Sequence, residues 1–232
     1  MKDGTVVVAE PLTGEIVGIF VGLPKPYGTE DAPDPYDRAW TTAFYKEPVT
    51  GPVHVFTTHI DGDAPGDPKN HGGVEKAVFA YAATHYPDWR AELDRPELSY
   101  GMFGENLTVA GLSEDNVCIG DTYAIGTVRV QVAQPREPCW KLARRLRDAS
   151  LVKRVQANGR TGWHHRVLTE GEIAPGMPVV LLGRPYPQWT VRRANRVRYA
   201  RDAREEAAAL AACTLLAPYW RRVMMERAAR AN

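Results

Sequence analysis

Along most of the chain, hydrophobic positions come in short bursts, each closed by glycine or proline. Residues 15–21, Glu-Ile-Val-Gly-Ile-Phe-Val, lie between Gly14 and Gly22-Leu23-Pro24 and predict a buried strand. Residues 53–58 alternate, and Val128-Arg129-Val130-Gln131-Val132 has the two-residue period of a half-buried strand. Residues 103–109 predict a strand with a glycine kink, Gly120-Asp121 divides two short strands, and 162–168 and 178–182 add two more. Runs of helical character fall at about 74–84, 140–147 and 150–157. Closely spaced strands broken by glycine point to a barrel or a strongly curved sheet, not a parallel one. After Arg184-Pro185-Tyr186-Pro187 the pattern turns helical, over about 191–199, 202–212 and 218–229. Asp202 is the expected N-cap of the second stretch, and Pro218 suits the first helical position of the third. The expected fold is α+β: a β-rich barrel with surrounding helices over 1–187 and a small three-helix domain over 188–232.

Between the strands lie the candidates for binding. Residues 27–52 are rich in proline and lack periodicity, and a loop of that length is usually functional or disordered. It carries Thr41, Thr42 and Lys46, which suit contact with an anionic ligand, unless the loop is plain surface. Asp61, Asp63 and Asp67 are spaced like a calcium loop, but Pro65 takes a ligand position and Gly72 stands where a bidentate glutamate belongs, so calcium is rejected. His71-Gly72-Gly73 precedes the expected helix at 74–84. With Lys76 and that helix start it would cradle a phosphate; the alternative is an ordinary glycine turn. Asn106, beside Glu105, either binds a ligand or satisfies a turn. Tandem His164 and His165 point to opposite faces of a strand, which argues against a shared zinc. Arg166 has the fork that clamps a phosphate.

Cys139 stands out among these. Pro135 and Pro138 stop both strand and helix, so the cysteine sits in a stiff turn with a helical pattern behind it. Arg136 and Lys141 place positive charge near the sulfur, which favours the thiolate that attacks electrophiles or ligates metal. The alternative is a small buried hydrophobe, the fate expected of Cys118 and Cys213 in their apolar settings. Three cysteines cannot all pair, so a reduced, cytoplasmic home is expected. The 232 residues are 44% hydrophobic and 25% charged, ordinary for a globular protein, with no long apolar span to suggest a membrane. The net charge of +1 hides an asymmetry, because eleven arginines and four carboxylates follow from Arg184 onward. Such a tail is either a surface for nucleic acid or a partner, or simply a solvated face.

Five motifs in one order carry a resemblance: His71-Gly72-Gly73, Phe103-Gly104-Glu105-Asn106-Leu107, Gly120-Asp121, Pro135-Arg136-Glu137-Pro138-Cys139-Trp140-Lys141-Leu142 and Gly162-Trp163. With them the chain resembles the MOSC-domain family, of the YiiM type, from about 15 to 182, and its tail resembles the three-helix domain of that subfamily. The family is related to the C-terminal domain of molybdenum-cofactor sulfurases. The resemblance implies a MOSC-like barrel, molybdopterin-type cofactor binding, and Cys139 as catalytic residue and molybdenum ligand. Thr42, Lys46, His71, Lys76, Asn106, Arg136, Lys141 and Arg166 are the expected cofactor-binding residues. The implied activity is reduction of N-hydroxylated compounds, such as hydroxylaminopurine-type base analogues. Electrons would come from a separate reductase or a flavodoxin- or ferredoxin-type donor, because three scattered cysteines cannot hold an iron–sulfur cluster. A homodimer is possible; neither duplex nucleic acid nor a membrane is an expected partner. The rival reading is a cofactor-binding or sulfur-carrier module without turnover. A third is a nucleic-acid-binding protein that uses the arginine tail.

Overall fold

A computed structural model describes residues 12–229. The chain begins with β1 (Thr13–Val21), β2 (Lys25–Tyr27), β3 (Trp40–Thr42), β4 (Glu47–Pro48) and β5 (Val53–Val55). The short α1 (Pro68–His71) leads to β6 (Val78–Ala82), α2 (His85–Leu93), β7 (Leu107–Ala110), β8 (Thr122–Ile125) and β9 (Val128–Pro135). Next come α3 (Trp140–Leu146), α4 (Leu151–Asn158), β10 (Trp163–Thr169), β11 (Gly171–Ile173) and β12 (Pro178–Gly183). The tail is α5 (Val191–Tyr199), α6 (Arg204–Ala211) and α7 (Pro218–Ala229).

Seven strands close into a barrel in the order β1-β7-β6-β10-β9-β8-β12, and β12 pairs back onto β1. Within it only β6 and β7 run parallel, and the chain between them crosses over through α2, as parallel neighbours require. Closure removes the free edges that an open sheet would leave. The alternation read in β9 is present: Val128, Val130 and Val132 are buried inside, with Arg129 and Gln131 more exposed. Residues 27–52 are not wholly irregular, since β2 pairs with β3 and β4 adds to the end of β1.

One expected element has the wrong type. Residues 74–84 form no single helix: a 3-10 turn at Val74–Lys76 is followed by strand β6. All five residues of β6 are buried. Val78, Ala80 and Ala82 join the barrel core, whereas Phe79 and Tyr81 join a second cluster beneath α2, α3 and α4. A strand buried on both faces shows no polar alternation, so its apolar run reads like helix. The helix start expected to cradle a phosphate after Gly73 is therefore absent.

Asp202 is not a cap; α6 starts at Arg204, with Ala203 in the cap position and no side-chain cap bond. Tail residues Trp189, Val191, Leu210, Trp220 and Met224 belong to the same apolar cluster as the barrel interior. The backbone N–H of Ala217 donates to the carbonyl of Ala133 on β9 at 2.9 Å. Arg184, Arg192, Arg193, Arg196 and Arg198 form ion pairs with carboxylates, so much of the basic charge is spent within the fold. Among the described residues no helix is long and apolar enough to cross a membrane.

Candidate functional site

A cavity of about 900 Å³ opens where the ends of β9 and β10 meet the 42–46 and 63–77 loops, the cysteine turn and the tail. Pro135 ends β9 and α3 begins at Trp140, so Cys139 stands in extended backbone just ahead of a helix (φ −123°, ψ 171°). Its thiol is free, partly exposed, and on the cavity wall. Gly162, across from the turn, has φ +70°, and a Cβ there would sit 2.5 Å from the carbonyl oxygen of Ala80. Only glycine fits so close an approach. Its carbonyl in turn accepts the Arg136 backbone N–H at 3.0 Å, which pins the start of the turn.

Of the nine residues expected at the site, Thr42, Lys46, His71, Lys76, Asn106, Arg136, Cys139 and Lys141 all line this cavity. Arg166 does not. Its Nε donates to Glu75 at 2.8 Å, Nη1 to Gln131 at 2.6 Å and Nη2 to the carbonyl of Leu215 at 2.9 Å. Its fork is taken up by the protein, so it ties the wall to the tail instead of clamping an anion.

Among the lining residues, some face inward to the fold. Asn106 donates from Nδ2 to the Phe20 carbonyl at 3.2 Å and to Asp63 at 2.9 Å, while its Oδ1 accepts the Phe79 backbone N–H at 3.0 Å. Lys46 pairs with Asp63, with side chains 8% and 11% exposed. Burial pushes the Lys46 pKa down, and Asp63 opposes that shift. Thr42 Oγ1 accepts the Phe44 backbone N–H at 3.0 Å. These residues hold the wall in shape. Lys76 donates to the Asn70 carbonyl at 2.6 Å.

Arg136 and Lys141 differ from them. They are 7% and 9% exposed, and neither side chain has a hydrogen bond or an ion pair within the described residues. Arg136 only lies over the Phe79 ring, 5.3 Å from its centroid. Asp67 feels Lys141 through space, but among the described residues no carboxylate is within ion-pair distance of either cation, so their charge is open to an anionic ligand in the cavity. His71 registers the resulting field: burial first, then Lys141, Lys76 and Arg136, push its pKa down to about 4. Among the described residues no group of three or more His, Cys, Asp or Glu is placed to hold a metal ion. A metal here would take one protein sulfur and bring its other ligands with it. One thiol beside unmatched cations suits a thiophilic metal carried on an anionic organic group.

Several lining residues carried no clear signal in the sequence. Gln134 comes from β9, and Arg198, Tyr199 and Tyr219 come from the tail; His164 of β10, discounted as a zinc ligand, lines the cavity as well. Arg198 donates to Glu137, two residues before the cysteine, at 2.9 Å. Periodicity predicts that His164 and His165 face apart, and they do: His165 accepts from Trp163 Nε1 at 3.1 Å in the interior, and a bulge separates the two residues.

The comparisons with known proteins agree with one another. A model of the MOSC domain matches residues 67–180. YflK of Bacillus subtilis (strain 168) is 47% identical over 158 residues, 68% of this chain and 71% of that protein. A protein named Reductase from Gibberella moniliformis (strain M3125 / FGSC 7600) is 44% identical over 179 residues, 76% of this chain. The chain spans only 31% of that longer protein. The crystal structure of YiiM from Geobacillus stearothermophilus shares 36% identity at a TM-score of 0.77, covering 93% of this chain and 100% of that one. With the barrel, the cysteine turn and these relatives in agreement, the chain belongs to the MOSC-domain family and is of the YiiM type.

Proposed function

We propose that the protein is a molybdenum-cofactor-dependent reductase of N-hydroxylated compounds, with Cys139 as the protein ligand of the metal. The observation that carries this reading is a free thiol sharing one cavity with Arg136 and Lys141, two largely buried cations with no hydrogen-bonded or ion-paired partner among the described residues. The MOSC family is associated with molybdenum-cofactor binding, and the Gibberella relative is named a reductase.

Cys139 would give the soft sulfur ligand that such a metal prefers. Arg136 and Lys141, helped by Lys76, would hold the anionic tail of the cofactor by charge-assisted hydrogen bonds. Gly73, at φ +99° with open space where a Cβ would stand, leaves backbone exposed on the same wall. Asn106, Asp63 and Lys46 keep the wall rigid, so that the ligand is met by a preformed site. The cofactor, when bound, supplies the two-electron chemistry that turns R–NH–OH, with two electrons and two protons, into R–NH2 and water. The three cysteines stand apart and would not hold an iron–sulfur cluster by the usual four thiolates, and this reading takes the electrons from a separate reductase or a flavodoxin- or ferredoxin-type protein.

Expression in a host that makes the cofactor, followed by molybdenum analysis and an assay with a hydroxylaminopurine and an artificial donor, tests the reading. Bound molybdenum and reductive turnover are expected. Protein with neither would sink it, and bound molybdenum without turnover would favour a carrier. Cys139→Ser is expected to abolish turnover and lower bound molybdenum while leaving the melting temperature unchanged. Wild-type turnover in that variant would remove the cysteine from the reaction.

A further inference from the structure

Gln134 on β9 and His164 on β10 are directly paired across the two strands, and both line the cavity. Directly opposed residues of antiparallel strands project from one face, with Cβ atoms about 5 Å apart. Gln134 is only 2% exposed, yet no protein group reaches its Oε1. The same holds for the buried Nδ1 of His164. Buried polar atoms without partners are rare, and each needs a reason. Among the described residues, these two side chains are the ones that combine such an atom with a place on the cavity wall.

Phe79 stands opposite His164 on the other side, from β6, with its ring centroid 5.2 Å from the imidazole. One row across three strands thus offers a carboxamide, an imidazole and a flat apolar ring, all on the cavity wall. Burial, then Lys76 and Arg136, hold the His164 pKa well below its usual value, so the ring is neutral. A neutral carboxamide and a neutral imidazole are poor receptors for an anion. They suit an edge on which N–H donors and ring-nitrogen or carbonyl acceptors alternate.

We propose that Gln134 and His164 form a hydrogen-bonding pair that reads the N–H-bearing edge of a planar nitrogen heterocycle of the aminopyrimidine class. The inference rests on the function proposed above and deepens it, because the pterin of the cofactor and an N-hydroxylated purine both present this chemistry. Phe79 supplies the apolar side of the same recess.

Gln134→Leu removes the amide at nearly constant volume, and His164→Phe keeps a ring while removing its nitrogens. The measurements are melting temperature of ligand-free protein, molybdenum and pterin content after expression in a cofactor-making host, and KM for two substrates. One substrate is a hydroxylaminopurine; the other is benzamidoxime, which lacks a heterocyclic edge. Neither variant loses a protein partner, so both are expected to melt no lower than wild type without ligand. If the pair reads the pterin, pterin and molybdenum content fall about tenfold, the effect of one hydrogen bond. If it reads the substrate, content holds and KM rises about tenfold for the hydroxylaminopurine alone. Content and both KM values within twofold of wild type would overturn the inference, as would a marked loss of ligand-free stability in both variants, which would show that the side chains serve the fold. Wild-type protein without molybdenum or pterin would instead overturn the functional reading, and this inference with it.

Discussion

Two sets of buried charges in this molecule have opposite fates. Glu105 is fully buried and accepts from the backbone N–H groups of Gly101 (2.8 Å) and Phe103 (3.2 Å), from Thr108 Oγ1 (2.8 Å) and from Tyr86. Asp121, also fully buried, takes Arg184, Tyr123 and the Cys118 N–H. On the cavity wall, Arg136 and Lys141 are almost as deeply buried and have no such company. Burial alone therefore says little about purpose. A saturated charge serves the fold, whereas an unsaturated one marks where something else belongs.

The largest expected contrast comes from removing the tail. It shares the barrel core through Trp189, Leu210 and Trp220 and adds Arg198, Tyr199 and Tyr219 to the cavity. Truncation after Pro187 should thus give insoluble protein or protein without cofactor, as solubility and molybdenum analysis will show. Soluble, loaded protein with unchanged turnover from a protein donor at low and high salt would confine the tail to neither role. A paired substitution tests the two fates of charge more finely. Glu105→Gln leaves several donors facing an amide and should cost about 3 kcal/mol in urea unfolding. Lys141→Met should stabilise the ligand-free protein by about 1 kcal/mol while lowering bound molybdenum several-fold. Equal losses of stability in both would erase the distinction.

The smallest effect concerns pH. His71 has a folded pKa of about 4 against the usual 6.5, because burial and its cationic neighbours disfavour the charged ring. As pH falls below about 6.5 the unfolded chain takes up the proton first. The stability tied to the neutral ring is therefore complete above about 6.5 and declines towards pH 4. Unfolding of ligand-free protein across that window should show a slope that His71→Asn reduces; an unchanged slope would show that neither burial nor its cationic neighbours hold the ring neutral.

How much of this was legible in the chain depended on the range of the interactions. Strands with one face against water announced themselves by alternation, and two prolines marked the cysteine turn. Strand β6 hid because both of its faces are covered. Asn106 was visible as a polar residue in a turn, but its partners lie 27, 43 and 86 residues away, which no local pattern encodes. Arg166 was misplaced for the same reason, since Glu75 stands 91 residues off and carries its charge. Gln134 gave no signal, because an unmatched oxygen is defined by what three-dimensional neighbours fail to provide.

The pairing of β1 with β12 has a consequence for synthesis. Thr13 faces Val180 across the seam that closes the barrel. A ribosome making about 5–20 residues per second needs roughly 10–30 s to deliver the second after the first. β7, which pairs with the middle of β1, arrives about halfway through that interval. Until β7 arrives Ile16 and Ile19 lack the strand they pair with, and the wait is long against the microseconds of local chain collapse. Nascent chains halted before β12 emerges still have β1 and β8 unjoined at the seam, and an open sheet edge of that kind is where pairing with another chain begins.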